Sequence, residues 1–252
     1  MQPTLSDRAD ALEHEMAAKL EREVAPIRSP LFTAGERDPR EPRHEAMDAV
    51  MAGKKLLMGP DPRLPPMPAK ATLIDFFNNR FGFSQHMLQS ARLALNNGHG
   101  EKVAMACLLH DISVIGLICG DHGYWGAQLV APYVDEEVAW GIQAHQVLRF
   151  YPDESVGYAY PEAYVQYFGE DFVPEPYVRE AYEQARQHKW YMTGRLITLN
   201  DIYAFDPSVK LHIDDFTDLI GRNFRQPEEG LGLDHSSSAH MWRTMMWPTR
   251  AL

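Results

Sequence analysis

The sequence predicts an all-α fold, and three features of its 252 residues carry that expectation. From about residue 72 onward, apolar residues recur at helical spacing. No stretch alternates apolar and polar residues in the way a half-buried strand does. The helical segments are also marked by stop and start signals, such as Asn97-Gly98 and Asp135 followed by Glu136-Glu137.

Taken in order, residues 5–24 read as a short polar helix with Leu12, Met16 and Leu20 on one face. From Pro26 to Pro68 prolines are too dense for continuous helix or sheet, apart from a brief helical pattern over 43–57. Residues 1–71 are therefore expected to form an N-terminal helix and a proline-rich extended arm. Residues 83–96 are amphipathic. Residues 101–118 are apolar nearly all round, which predicts a buried central helix. Helices are expected over 122–131 and 135–150, then a tyrosine- and proline-rich excursion over 151–176. Further helices are expected over 177–188 and 189–205. A helical domain thus spans 72–207, and 208–252 is expected to be a C-terminal extension packing on it.

Composition narrows the function. Apolar residues make up 45% and charged residues 23%, which is ordinary globular usage and excludes a disordered or fibrous chain. The 24 Lys and Arg against 35 Asp and Glu give a net charge of −11, and no basic run exceeds two residues. No nucleic-acid or membrane partner is expected, since both need a clustered basic surface. No run approaches the roughly 18 apolar residues of a membrane span. Cys107 and Cys119 are too few for a disulfide framework, and the N-terminus is too polar for a secretory signal. A cytoplasmic location follows as the expectation.

The chemistry centres on His110-Asp111, at the end of the most apolar helix. An unpaired ionisable pair there is costly to bury, and a bound cation would compensate it. His86 precedes the pair by 24 residues, His122 follows Asp111 by 11, His145 follows His122 by 23, and Asp201 lies 56 further on. One histidine in an apolar helix is blandly explained as a satisfied core group. Six ligand-type residues, one or two on each successive helix, are hard to explain that way. Asp206 competes with Asp201, but it precedes Pro207, where a helix would end.

The pattern H…HD…H…H…D, matched by His86, His110-Asp111, His122, His145 and Asp201, resembles the HD-domain metalloproteins over about 72–207. The resemblance implies a helical bundle with these residues converging at its centre and two metal ions bridged by Asp111. One ion would be held by His86, His110 and Asp201, and the other by His122 and His145. Imidazole and carboxylate suit iron, manganese, zinc or nickel. Many HD proteins are phosphohydrolases. A smaller branch, including myo-inositol oxygenase and the phosphonate-cleaving HD oxygenases, activates O2 with a mixed-valent Fe(II)/Fe(III) pair.

HGYWGAQLVAPYV and AHQVLRFYPDES look like the phosphonate-cleaving branch, with Arg149 one helical turn beyond His145 and suited to bind an anionic substrate. Departures exist as well. DFFNNRFGFSQ, before His86, lacks the Tyr and Glu of that branch and carries Phe76, Phe77, Asn79 and Arg80 instead. Val114 replaces the lysine that myo-inositol oxygenase places three residues after its HD pair. Arg80 and His188 are further candidates for substrate binding. The leading expectation is a non-haem diiron oxygenase acting with O2 on a small polar or anionic molecule. The alternative is an HD phosphohydrolase using manganese, zinc or nickel, and a regulatory HD protein with little turnover is a third reading. A homodimer is plausible through the N-terminal helix.

Overall fold

The architecture is built from short helices, and among the described residues there is no β-strand, only isolated bridges at Asp153–Tyr158 and Leu231–Ser236. The computed structural model describes residues 65–81, 84–116, 121–227, 231, 235–236 and 238–246. The helix expected over 5–24 and the arm as far as residue 64 lie outside these residues.

The chain divides into two compact units, Met1–Asp48 with Ala163–Phe172, and Ala49–Glu162 with Val173–Leu252. In the first, the described residues are 163–172, where Phe168 stacks on Phe172 at 4.8 Å and meets Tyr164 edge-on. These follow Glu162 in a short helix, Glu162–Phe168, inside the segment expected to be an irregular excursion.

The second unit contains α1 (Leu73–Asn79), α2 (Gln85–Asn96), α3 (Glu101–Leu109), α4 (Ile112–Gly116), α5 (His122–Val130) and α6 (Glu136–Leu148). With the mixed helix Glu162–Phe168 as α7, there follow α8 (Pro176–Ala185), α9 (Tyr191–Asp201), α10 (Thr217–Asn223) and α11 (His240–Met246). Short 3-10 turns occupy Glu154–Val156 and Ile213–Phe216. Thr72 starts α1 with a capping box: its hydroxyl accepts from Asp75 N–H, and the Asp75 carboxylate accepts from Thr72 N–H. α2 ends where the sequence places its stop, with Gly98 at φ +74, a conformation glycine adopts without a Cβ clash.

α3 is the central helix. Val103 through Leu109 are all buried, and α3 packs against α2, α6, α9 and α10. Each fully buried leucine here contributes roughly 1.5–3 kcal/mol relative to exposure. The helix expected to run unbroken over 101–118 is interrupted at His110-Asp111. His110 Nδ1–H donates to the Cys107 carbonyl at 2.7 Å, the acceptor that Asp111 N–H would use in a continuing α-helix. His110 itself keeps right-handed helical dihedrals at the break.

α5 crosses α6 closely at Gly123, where a Cβ would stand 2.8 Å from the Gln143 carbonyl. Beyond α9, Phe216, Leu219, Ile220, Trp242, Met245 and Met246 join the same apolar core as α3. Trp242 Nε1–H donates to the Leu129 carbonyl at 2.6 Å. No described helix is long and apolar enough to cross a membrane.

Candidate metal centre

Five segments of this bundle each deliver polar side chains to one point. His86 is the second residue of α2, His110-Asp111 forms the break after α3, and His122 opens α5. His145 lies in α6 and Asp201 ends α9. His110, His122, His145 and Asp201 are buried, whereas an edge of Asp111 reaches solvent. The entry to α5 is strained, because Asp121, just before His122, has φ +49 in the left-handed region.

The imidazoles of His86, His110 and His145 are oriented by backbone carbonyls. Nδ1–H of His86 donates to Ala204 (3.1 Å), that of His110 to Cys107 (2.7 Å) and that of His145 to Ile142 (2.5 Å). In that tautomer each Nε2 carries a lone pair aimed at the centre, the arrangement by which proteins orient metal-binding histidines. His122 completes the set through the crossing at Gly123, whose N–H donates to Gln146 Oε1 at 2.8 Å.

The inward atoms fall into two groups that share Asp111. On one side His86 Nε2 and His110 Nε2 are 3.1 Å apart, each 3.6 Å from Asp111 Oδ2. Asp201 Oδ1 lies 2.9 Å from His86 Nε2 and 3.6 Å from His110 Nε2. On the other side His122 Nε2 and His145 Nε2 are 3.2 Å apart, at 3.5 and 3.7 Å from Asp111 Oδ1. His86, His110 and Asp201, and His110, Asp111 and His145, each cluster closely enough to hold a metal ion.

These spacings fit metal ligation. Ligands at about 2.1 Å from a shared ion lie about 3.0–3.4 Å from one another; the two Nε2 pairs and the His86–Asp201 contact, at 2.9–3.2 Å, sit at that spacing, and the Asp111 contacts and His110–Asp201, at 3.5–3.7 Å, lie just beyond it. A cation bound by both the His86 and His110 Nε2 atoms, 3.1 Å apart, would take the place of the proton that His110 holds there. The donor set, four imidazoles and two carboxylates, is that of a transition metal rather than calcium or magnesium.

The electrostatics agree. Burial opposes charge on His110, but the carboxylates of Asp111 and Asp201 outweigh it and push its imidazolium up to about 9. Burial takes His122 down to about 3, with the nearby Arg149 charge acting in the same direction, and it also lowers His145. Burial would raise Asp111 and Asp201, yet the histidines around them hold both carboxyls below the usual range.

The remaining sequence candidates are placed as follows. Arg149 caps α6, lies over the Phe150 ring at 4.9 Å and is close enough to His122 to depress its basicity. The turn beyond it is tied down by Tyr158, whose hydroxyl donates to the Arg149 carbonyl at 2.8 Å. It is tied again by the buried Arg195, which donates to the carbonyls of Leu148 and Tyr151, both at 3.0 Å. Arg80 is not brought to the centre by any contact. It is buried, and donates to the carbonyls of Met245 (2.6 Å), Pro65 (2.8 Å) and Asn79 (2.9 Å), a set that ties α1 to α11. His188 stacks on Trp140 at 4.1 Å and accepts from Trp190 N–H. Asp206 is exposed and accepts from Ser208, so of the two competing carboxylates it is Asp201 that meets the histidines.

Sequence reasoning passed over Gln85, Gln89 and Ala204. The two glutamines look like the solvent face of an amphipathic helix, and a backbone carbonyl such as that of Ala204 leaves no trace in a sequence. No family model matches this chain, and no curated protein matches it.

Proposed function

We propose that this protein is a dinuclear metalloenzyme of the HD-domain type, a non-haem diiron oxygenase acting on a small polar or anionic substrate. One observation carries the reading: Asp111 turns Oδ2 toward His86 and His110 and Oδ1 toward His122 and His145. A single carboxylate facing two histidine pairs is the geometry of a bridging ligand. His86, His110 and Asp201 would hold one iron and His122 and His145 the other. A mixed-valent Fe(II)/Fe(III) pair bound there supplies O2 activation for C–H abstraction and oxidation or carbon–heteroatom cleavage.

The chain's own residues do the rest. The carbonyls of Ala204, Cys107 and Ile142 keep the Nδ1 protons in place, so the Nε2 atoms stay available without rearrangement. The buried walls formed by α3 and α6 exclude water from the His110 and His145 side. Arg149, one turn beyond His145 with its backbone carbonyl held by Tyr158, brings a positive charge near His122 that would attract and orient an anionic group. Cys107, a buried thiol, is consistent with a reducing, cytoplasmic setting.

The same Arg149 charge beside a two-ion centre also suits a phosphate ester. The second reading is therefore an HD phosphohydrolase with manganese, zinc or nickel, which would polarise the phosphoryl group and acidify a bound water. Iron-reconstituted protein is to be screened for substrate-dependent O2 uptake against phosphonates, polyols and related acids, in parallel with phosphate release from phosphate esters. O2 consumption coupled to product formation supports the oxygenase. Phosphate release without O2 uptake, with a metal other than iron, replaces it by the hydrolase.

A further inference from the structure

The loop leaving α9 carries two of the exposed large hydrophobic residues, Tyr203 and Phe205. Phe205 is 68% exposed, yet one face of its ring lies flat on the His86 imidazole, with centroids 4.1 Å apart and planes 14° from parallel. The loop is fixed from α2 by two glutamines. Gln85 Nε2 donates to the Leu211 carbonyl and Gln85 Oε1 accepts from Leu211 N–H, at 2.7 and 3.0 Å. The buried Gln89 donates to the carbonyls of Asp206 and Val209, at 2.8 and 3.0 Å, and accepts from Asp206 N–H at 2.9 Å. Two residues before the first of these anchors, the Ala204 carbonyl accepts a hydrogen bond from His86 Nδ1–H. Phe205 is thus held on a rigid loop and not on a drifting one.

Its position matters because of where the centre opens. The Asp111 side chain is 22% accessible and that of His86 14%, whereas those of His110 and His145 are closed off. The more accessible of the centre's side chains are therefore Asp111 and His86, and His86 is the one on which the Phe205 ring lies. An aromatic face left bare at that edge, with its other face already on a ligand ring, provides a wall for a planar or apolar group.

We propose that Phe205 is a specificity-determining residue of the metal centre, an aromatic wall that receives the apolar part of a substrate whose polar end reaches the ligands. This rests on the metalloenzyme reading above and adds to it a substrate class, a polar or anionic head joined to an apolar or aromatic portion. An exposed apolar side chain on a loop has no such neighbour as a rule, and it discriminates nothing.

The test uses the iron-loaded, oxidised protein and two probes, acetohydroxamate and benzohydroxamate. Both chelate ferric iron through the same two oxygens and give a charge-transfer band, and they differ in the ring. Wild type is expected to prefer benzohydroxamate. Phe205→Ala is expected to reduce that preference about three- to tenfold, the size of one aromatic contact, with iron content retained. Phe205→Leu, which keeps an apolar side chain without the ring face, should fall between them and serves if the alanine variant folds poorly. An equal preference in all three proteins overturns the assignment of Phe205. Absence of bound iron and of the band with either probe in wild type overturns the diiron reading, and this inference with it.

Discussion

Asp111 has a doubly constrained position, since its two oxygens face two histidine pairs and no other described carboxylate is recorded within reach of both. Asp111 stands at the interruption after α3, where the His110 ring takes the Cys107 carbonyl. In the metal-free protein His110 keeps its proton up to about pH 9, because Asp111 and Asp201 outweigh the cost of burying it. His122 and His145 are held neutral by burial and do not compete. A metal entering the His86–His110–Asp201 group must displace that one proton. Its affinity should therefore rise about tenfold per pH unit between pH 6 and 8 and level off above about 9. Competition against a chelator at several pH values measures the slope, and a flat profile contradicts the assignment of His110. In the proposed function Arg149 acts on substrate rather than metal. Arg149→Ala should leave iron content intact and raise the KM for an anionic substrate roughly tenfold or more, a charged hydrogen bond's worth. Loss of iron in that variant would show a structural role instead.

Among the helices, α5 and α6 hold the His122–His145 pair through a crossing so close that only glycine fits at position 123. A methyl group there would meet the Gln143 carbonyl at 2.8 Å, and a backbone atom in the middle of a helix cannot step aside cheaply. Gly123→Ala should cost about 1–3 kcal/mol in a urea titration and weaken the second metal while the first is retained. An unchanged midpoint would mean that the crossing relaxes freely. The helices themselves were readable from the sequence, because amphipathic spacing, the Asn97-Gly98 stop and the acidic start of α6 are local signals. The interruption of the 101–118 helix was not, since it arises from a ring taking one backbone carbonyl, which apolar periodicity does not encode. Nor was the helix Glu162–Phe168, buried in a segment whose prolines and tyrosines read as irregular.

In the molecule as a whole, the bundle brings six distant residues to one point, and their spacing across successive helices made them legible before any coordinates. Buried ligand-type residues in apolar segments carry a cost that demands a partner, so their positions stand out. Residues that act through long-range backbone contacts left no such mark. Arg80 was a candidate for substrate binding, and its guanidinium donates to the carbonyls of Met245, Pro65 and Asn79. Gln85 and Gln89, which the sequence did not single out, anchor the loop after α9. Metal analysis of wild type and Asp111→Ala, purified from iron-supplemented cells and paired with an EPR spectrum after partial reduction, bears most directly on the bridged centre. The expected result is about two irons per chain and a coupled half-integer spin signal in wild type, with two-metal binding and the signal both lost in the variant. Two irons per chain retained by Asp111→Ala, with the coupled signal intact, would contradict the bridging role of Asp111.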